Sequence, residues 1–533
     1  MTVAAVGTGI AIMLVTMGLL LIARPGSTST VDYYLAGQRV GIATNACAIC
    51  GDYFSAASFL GVAAAVYASG LDGVWYATGF AAGFVPVLLF VAAPLRRFGE
   101  FSLADFLGRR LESDRVRLTS VGVVQVVILC YLVPQSVGGG ITWELLVGHG
   151  ILGLSPYATG VLISTAVIAV VVAFGGMRGT TWNQAVQFLL LFAALLWLAV
   201  MVTADGFRYG DEVPVHTEDP VMFGEPGARY GHLGQVALVI TLAMGTAGLP
   251  HVMNRYFTSP TGRAARTTTL WVLMLIGAFY ALAVMMGTAA RDVIPRSVAD
   301  HPWLEELTVD GVLRVPEHAL PVLGRIYGEE AGLGLVAAAA LIAAMSTVAG
   351  LLLASAATWG HDVYERHINP GATQKQAVRA GRLTTLIAAG LAAALAVLLR
   401  PETFTPAMPS LVATMVTWAF AVAGSALTPV VVLSIWWHRT TAAGALAGML
   451  SGGGAAVAMF VTAGFLEPSS LRDLLAAPTL VAAPLAMLVT VLVSRRTAAP
   501  ESTREAWVRM HGTAADRQAE RLARMMVRRK GKS

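Results

Sequence analysis

The feature that most constrains this chain is the recurrence of long apolar runs. Runs of 18 to 30 residues, almost free of charged side chains, repeat along the sequence. About 20 apolar residues are what an α-helix needs to cross the hydrocarbon core of a bilayer. Hydrophobic residues make up 56% of the 533 residues, which is above the usual share in soluble domains. The sequence therefore predicts an all-α polytopic protein of the cell membrane, and it excludes secreted, nucleic-acid-binding and soluble-enzyme classes.

The hydropathy pattern gives thirteen candidate spans. They cover approximately residues 3–23, 41–69, 72–95, 118–147, 156–174, 182–203, 231–250, 269–290, 331–359, 380–399, 408–437, 441–463 and 474–494. The first lacks a basic leading segment and a small-residue cleavage site, so we interpret it as a span and not as a signal peptide.

The loops between the spans alternate in charge. Arginine-rich segments lie near residues 96–117, 178, 255–266 and 366–382, and acidic segments lie near residues 205–225 and 305–330. The positive-inside rule places the arginine-rich segments, with Arg255 among them, in the cytoplasm. The N-terminus is then outside and the C-terminus is cytoplasmic. We expect the basic tail at 495–533 either to lie on anionic lipid as an amphipathic helix or to be solvated.

The second span contains a carboxylate where hydrocarbon would surround it. Asp52 lies about eleven residues into the span, or about 16 Å from its start, where a charge costs about 2.5–3.5 kcal/mol. We expect Asp52 to face an ion, a wet cavity or a network of donors; the alternative is that it only caps a kinked half-helix. Gly51 is where helical hydrogen bonding could lapse. Ser55 and Ser58 share one helix face, and they either serve a site or bond back to the preceding turn.

Two further spans carry an interruption or paired hydroxyls. Residues 245–250 (GTAGLP) interrupt the seventh span, and two broken spans in corresponding positions indicate a transport site, with a glycine-rich packing seam as the alternative. Ser346 and Thr347 in the ninth span offer hard oxygen ligands, which suit a small hard cation. In the fourth span, Gln135 follows Pro134 and serves either as a substrate ligand or as an interhelical contact.

Three side chains near the end of the ninth span resemble a metal triad. His361 and Glu365 are four residues apart, and His367 follows. No further ligand cluster accompanies them, so we expect interactions of a helix end and no metal site.

Six motifs, in order, are similar to those of the sodium:solute symporter family over about residues 31 to 440. They are residues 32–39 (DYYLAGQR), 102–107 (SLADFL), 175–187 (GGMRGTTWNQAVQ), 248–258 (GLPHVMNRYFT) and 355–364 (SAATWGHDVY), and Arg439 followed by Gly444 and Ala445. Residues 51–61 (GDYFSAASFLG) further resemble the cation/acetate, or monocarboxylate, branch.

The resemblance implies a leucine-transporter-type five-plus-five inverted repeat. Residues 1–30 would hold an extra helix, 31–203 the first repeat (helices 2–6) and 204–230 an extracellular acidic loop. Residues 231–440 would hold the second repeat (helices 7–11), 441–494 helices 12 and 13, and 495–533 the basic cytoplasmic tail.

The resemblance also implies two sites. Sodium would be bound by the carbonyls of Gly51, Phe54 and Ala343 and by the hydroxyls of Ser346 and Thr347. The substrate would contact Ser55, Ala57, Ser58 and Gln135, with Gly245 and Thr246 opposite. Ala57 and Ser58 stand where sugar-binding members have larger polar groups, so a sugar is not expected. Asp52 precedes Ser55 by three residues, where proline symporters have a spacing of two, and this predicts that Asp52 supports the ion site without ligating the ion.

From these observations we predict a symporter that couples sodium entry to uptake of acetate, propionate or pyruvate by alternating access. The alternatives are proton coupling through Asp52, or a nutrient sensor of the same fold that does not transport. The expected partners are the small organic anion, sodium and the lipid bilayer, with no nucleic acid and no cofactor besides the co-transported ion. The sequence leaves open whether a small accessory membrane protein is needed.

Overall fold

The computed structural model describes residue 7 and residues 30–99, 101–207, 231–398, 410–467 and 469–513. The first predicted span, most of the loop at 204–230 and the end of the tail lie outside these residues. The predictions made for those segments therefore stay predictions, as does the division of the chain into repeats.

Helices dominate the first half of the described chain. The α-helices there are α1 (Thr30–Leu35), α2 (Ile42–Tyr53), α3 (Val62–Ser69), α4 (Leu71–Ala82), α5 (Phe84–Pro86), α6 (Ala92–Phe98), α7 (Leu103–Arg110), α8 (Asp114–Val147) and α9 (Pro156–Ala204). A 3-10 turn (Ala36–Gln38) follows α1, and π-helical segments lie at Ala57–Gly61 and Val87–Val91.

The second half is also helical, apart from one small hairpin. Its α-helices are α10 (His232–Gly248), α11 (Pro250–Phe257), α12 (Gly262–Ser297), α13 (Ala319–Ala357), α14 (Gln374–Leu398), α15 (Leu411–Val422), α16 (Thr428–Trp436), α17 (Ala442–Ala463), α18 (Ser470–Ala476), α19 (Thr479–Arg495) and α20 (Thr503–His511). Strands β1 (Thr308–Val309) and β2 (Val312–Leu313) pair antiparallel. The 3-10 turns Pro302–Leu304 and Pro316–His318 flank the hairpin, and π-helical segments lie at Thr358–Ile368 and Ala423–Leu427.

Hydroxyl side chains start several of these helices where the sequence changes from loop to apolar run. Ser102, Ser113 and Ser155 accept hydrogen bonds from the first-turn amides of α7, α8 and α9. Thr261 and Ser410 do the same for α12 and α15. An N-cap of this kind satisfies a donor that the helix itself leaves free.

Breaks in the helices separate the predicted spans. Gly176 has φ +61°, a left-handed conformation that favours glycine, and it divides α9 into two parts that contain the predicted spans 156–174 and 182–203. Among the described residues, eight helices are long and apolar enough to cross a membrane, or up to eleven if each bent pair is one span. The bent pairs include α2 with Ala57–Ser69, at 70°, and α10 with α11, at 41°.

Helix α9 packs against α2, α8, α12 and α13, and α13 is the most deeply buried of the long helices that the structure describes. Two glycines permit the closest approaches there. A Cβ on Gly51 of α2 would lie 2.2 Å from the carbonyl oxygen of Gln184, and a Cβ on Gly350 of α13 would lie 1.8 Å from the Asp52 carboxylate. Both positions therefore require glycine for α2, α9 and α13 to meet.

The first part of the tail packs on the transmembrane body. In α20, Ala506 and Met510 are buried, and the Met510 carbonyl accepts a hydrogen bond of 2.9 Å from Arg97. The guanidinium of Arg509 lies 5.2 Å from the ring of Phe98. The sequence predicts a tail that is either solvated or bound to lipid. Residues 503–511 differ from both alternatives, because they pack on the protein itself.

Candidate functional site

The site is organised by the break between α2 and the π-helical segment that follows it. Helix α2 ends at Tyr53, and helical structure resumes at Ala57 after a bend. The amide of Ala56 donates to Gln135 Oε1 of α8 at 2.9 Å. Gln135 is therefore an interhelical contact, one of the two roles left open by the sequence. Its buried Nε2 has no hydrogen-bond partner among the described residues, so it remains a donor at the break.

Of the two hydroxyls predicted to bind sodium, that of Thr347 faces the same break, whereas that of Ser346 bonds within its own helix. Thr347 Oγ1 donates to the carbonyl oxygen of Asp52 at 2.8 Å, and Ser346 Oγ donates to the carbonyl of Ala343 at 2.9 Å. Gly51 and Phe54 lie on either side of Asp52, in the last turn of α2 and at its C-cap. The structure thus brings α13 and the end of α2 together at the predicted sodium ligands.

The carboxylate of Asp52 is buried and paired. Its Oδ2 lies 3.3 Å from Nε of Arg255 in α11, and its Oδ1 accepts a hydrogen bond of 3.2 Å from Gln184 Nε2 of α9. Asp52 and Arg255 are 0% and 1% exposed. The donor network expected around Asp52 is therefore present. The assignment of Arg255 to a cytoplasmic loop was wrong, because α11 carries this side chain into the core.

Arg255 connects this pair to α9. Its Nη1 donates to Thr181 Oγ1 at 2.7 Å, and its Nη2 donates to Gln184 Oε1. Gln184 Nε2 also donates to the carbonyl of Ser346 at 2.6 Å. One hydrogen-bonded network therefore joins α2, α9, α11 and α13, so a displacement of any of these helices changes the surroundings of Asp52.

Sequence reasoning missed Thr181, Gln184 and Arg255 as members of this site. One signal was present: Thr181 and Gln184 are three residues apart in an apolar run, so they share a helix face. A buried Asp52 also requires a cation or several donors. What could not be read was that the interrupted segment after Pro250 turns Arg255 inward.

The residues predicted to contact substrate are buried among aromatic rings. Ser58 Oγ lies 2.8 Å from the hydroxyl of Tyr280 and 3.3 Å from the carbonyl of Tyr53, so its bond to the preceding turn coexists with an interhelical one. Thr246 Oγ1 lies 2.9 Å from the hydroxyl of Tyr53, which links the broken ends of α2 and α10. Ser55 and Ala57 are 0% exposed.

Further rings close the opposite wall. The Phe80 ring stacks on Tyr280 with centroids 5.8 Å apart and contacts Phe420 edge-on at 5.2 Å. Tyr131 lies 5.7 Å from Phe420. Gly245 packs on the same ring, where a Cβ would approach Phe420 Cβ to 2.5 Å. The predicted substrate residues are thus brought together among buried aromatic rings, of which Tyr53 and Tyr280 carry hydroxyls that bond to Thr246 and Ser58.

The three side chains that resemble a metal triad make separate contacts. His361 Nδ1 pairs with Glu365 Oε2 at 2.9 Å, and His367 Nδ1 contacts the carbonyl of Asp362 at 2.8 Å. A different group, Asp105, His361 and Asp362, does converge. Arg117 Nη1 lies within this group, 3.0 Å from Asp105 and 3.3 Å from Asp362. We interpret it as a charge cluster, because Arg117 already supplies the cation that two neighbouring carboxylates need.

Comparisons with known proteins identify the class of protein to which the chain is similar. Residues 33–452 match the model of the sodium:solute symporter family. The monocarboxylic acid transporter of Corynebacterium glutamicum is 32% identical over 461 residues, covering 83% of this chain and 80% of that protein.

Two solved structures have a similar fold. A substrate-bound, outward-open Na⁺-coupled sialic acid symporter aligns with a TM-score of 0.71 at 16% identity, covering 93% of this chain and 98% of the other. A nucleobase-cation-symport-1 family transporter in a closed conformation aligns with a TM-score of 0.53 at 14% identity, covering 91% and 100%.

These similarities confirm the predicted class of protein. The solved structures are transporters of the leucine-transporter fold, and the described chain is likewise mostly helical with several apolar spans. In the matched family, sodium is a co-transported ion and not a bound cofactor, and the similar proteins are multi-pass membrane transporters, not enzymes. The exact number of helices and the orientation of the termini stay predictions. The chain belongs to the sodium:solute symporter family.

Proposed function

We propose that the protein couples sodium entry to the uptake of a small monocarboxylate such as acetate, propionate or pyruvate. Residues 31–203 and 231–440 form the two inverted repeats in this proposal, and their relative rocking exposes the site to each side in turn. The printed name of the similar protein from Corynebacterium glutamicum, a monocarboxylic acid transporter, supports the substrate class.

The observation that carries the proposal is the contact between Thr347 and the broken end of α2. Thr347 Oγ1 lies 2.8 Å from the carbonyl of Asp52, although 295 residues separate the two positions in sequence. Hydroxyl and carbonyl oxygens are ligands suited to a small hard cation. We infer that sodium binds here, with the carbonyls of Gly51, Phe54 and Ala343 and the hydroxyls of Ser346 and Thr347 as its ligands.

The charges around the break support co-binding of a cation and an anion. Arg255 neutralises Asp52, so this pair brings little net charge to the site. A carboxylate substrate in the enclosed space would then need a counter-charge, because an isolated buried charge is very costly. Sodium supplies that charge, and the free Nε2 of Gln135 supplies a hydrogen-bond donor. Each ligand therefore improves the binding of the other.

The aromatic enclosure supports a small substrate. Ser55, Ala57 and Ser58 are buried, and Ser58 contacts the hydroxyl of Tyr280, on whose ring Phe80 stacks. Ala57 offers no hydrogen-bonding side chain and the Ser58 hydroxyl already contacts Tyr280, so these two positions leave little for a sugar to bond to. An acid of two or three carbons needs donors for one carboxylate and apolar surface for its remainder.

The pairing of Asp52 favours sodium over proton coupling. A proton carrier must exchange its proton with water in each cycle, whereas the Asp52 carboxylate is fully buried and bonded to Arg255 and Gln184. In our proposal Asp52 is a supporting residue that holds α2, α9 and α11 together beside the ion.

Uptake of labelled acetate and pyruvate into proteoliposomes tests the proposal, with a sodium gradient and a proton gradient imposed separately. We expect accumulation with the sodium gradient alone. Accumulation with the proton gradient alone would contradict sodium coupling but keep the substrate class. Binding of the acid without net flux under any gradient would instead indicate a sensor.

A further inference from the structure

A polar cavity lies beside the site, between α1, the start of α2 and the second half of α9. Its volume is about 610 Å³, several times that of a three-carbon acid. The lining residues are Val31, Asp32, Ala36, Gly37, Arg39, Val40, Gly41, Thr44, Arg178, Thr181 and Trp182. By the positive-inside rule this cavity opens to the cytoplasm.

Positive charge dominates the lining of the cavity. Arg39 and Arg178 are both exposed to it, and neither guanidinium forms an ion pair or hydrogen bond with any other described residue. The lining contains one carboxylate, Asp32. Gly41, the N-cap of α2, offers no side-chain cap to the first amides of that helix, so the positive end of the helix dipole adds to the same field.

The cavity reaches the buried network through one residue. Thr181 is 1% exposed and lines the cavity, and its Oγ1 accepts the hydrogen bond from Arg255 Nη1. Arg255 in turn pairs with Asp52 beside the predicted sodium ligands. A line of cationic side chains therefore runs from the open side, at Arg39 and Arg178, to the centre of the protein.

We propose that this cavity is a second anion site, an arginine vestibule that holds the monocarboxylate between the central site and the cytoplasm. The inference rests on the proposed function for the identity of the anion. The two free guanidinium groups bind the carboxylate after it leaves the break in α2. Because the anion can bind in the cavity, it rebinds less often at the central site. The vestibule thus sets the affinity on one face of the membrane only.

The first test measures half-saturation separately at each face, in right-side-out and inverted vesicles with labelled pyruvate. The double variant Arg39→Gln/Arg178→Gln is compared with Lys375→Gln, which removes an exposed cation at the start of α14 outside the cavity. We expect the double variant to raise half-saturation about five- to tenfold at the cavity face and to leave the opposite face unchanged. The proposal would be overturned if the double variant had the wild-type half-saturation concentration at both faces. It would also be overturned if that concentration rose equally at both faces.

The second test reads occupancy without transport. Thr44→Cys places a thiol in the cavity, and its alkylation by a neutral maleimide is measured in excess of the wild-type chain, which carries Cys47, Cys50 and Cys130. Pyruvate should slow this alkylation in neutral-lipid vesicles, equimolar chloride should not, and the two arginine substitutions should abolish the protection.

The two tests separate the vestibule from the proposed function. Protection in a protein that transports no monocarboxylate would support the vestibule and contradict the proposed function. Normal sodium-driven uptake, with no protection of the Thr44→Cys thiol by pyruvate, would support the proposed function and contradict the vestibule. Protection that follows the content of anionic lipid and not pyruvate would assign the arginines to lipid phosphates and overturn the vestibule.

Discussion

Two of the three bent helix pairs in the described part of the chain, α2 with Ala57–Ser69 and α10 with α11, differ in how their freed backbone groups are satisfied. At the break after α2, side chains from other helices provide the partners: Gln135 accepts from the amide of Ala56, and Thr347 donates to the carbonyl of Asp52. The bend there is 70°, against 41° between α10 and α11.

The second break draws fewer partners from other helices, although Thr428 of α16 donates to the carbonyl of Met244 at 2.7 Å. Only Leu249 separates α10 from α11, and Pro250 follows, which has no amide hydrogen to satisfy. Thr246 Oγ1 donates back to Leu242 in its own helix at 2.9 Å. The two interruptions therefore differ in the polar groups that they gather from other helices. The first break holds polar groups from several helices that a ligand can join, whereas the second forms a wall and carries Arg255 inward.

The largest expected effect comes from removing one member of the buried pair at the first break. Asp52→Asn or Arg255→Gln leaves an uncompensated buried charge, which costs about 3–5 kcal/mol of stability. Both single variants should lose most of their sodium-driven uptake and melt at lower temperature in detergent. The double variant should recover much of the thermal stability but not the uptake.

The matched control for this pair is an exposed one. Arg296 and Asp205 form an ion pair of 2.7 Å in which both side chains are nearly half exposed. Arg296→Gln should change stability by no more than about 1 kcal/mol. An equal loss in the control and in Arg255→Gln would contradict the special role given to the buried pair.

The next effect concerns the hydroxyls on α13. Ser346→Ala and Thr347→Ala each remove an oxygen from the proposed ion site, and a hydrogen bond or ligand contact to a charged group is worth about 1.5–3 kcal/mol. We expect the sodium concentration for half-maximal uptake to rise by about tenfold or more. Thr385→Ala is the control, since its hydroxyl donates within its own helix to Gly381 at 3.0 Å. If Thr347→Ala showed unchanged activation of uptake by sodium, sodium would not bind at this position.

Variants of Gln135 separate its proposed contact with the substrate from its hydrogen bond to the backbone of Ala56. Gln135→Glu keeps an acceptor for the amide of Ala56 but replaces the free donor by negative charge, so we expect uptake of a carboxylate to fall more than tenfold, about 1.4 kcal/mol or more. Gln135→Leu loses both functions and should lower thermal stability as well. If Gln135→Glu transported pyruvate with normal half-saturation, the amide would not face the substrate.

The smallest effect is expected at the second break. Thr246→Val removes one neutral hydrogen bond to Tyr53, which is worth about 0.5–1.5 kcal/mol, so half-saturation for pyruvate should rise only about two- to tenfold. Thr246→Ser should restore it. If Thr246→Val lost more uptake than Thr347→Ala, the second break would matter more for transport than the first, contrary to our expectation.

The sequence predicted those features that depend on local pattern. Apolar runs gave the helical membrane class, and the glycine and proline residues near Gly51 and Pro250 marked both breaks. The family motifs led to Ser346 and Thr347 as neighbours of α2, and the structure does place Thr347 against Asp52. Whether these residues bind sodium stays a prediction.

The sequence could not give the partners that depend on how helices turn. Arg255 follows the second break in a short segment of mixed polarity, and charge counting alone placed it in a cytoplasmic loop. The fold directs it to Asp52 because α11 bends away from α10 and packs against α2 and α13. Likewise, Gln135 Oε1 accepts from the amide of Ala56, whereas Nε2 has no partner among the described residues. No spacing in the sequence reveals this difference between the two atoms.

We propose above all that the first break binds sodium and the carboxylate together. Equilibrium binding of labelled pyruvate to the purified protein in detergent tests it directly, with sodium titrated against choline at constant ionic strength. We expect pyruvate affinity to rise steeply with sodium in the wild type, and Thr347→Ala to need about tenfold more sodium for the same rise. Equal pyruvate affinity in sodium and in choline would contradict it.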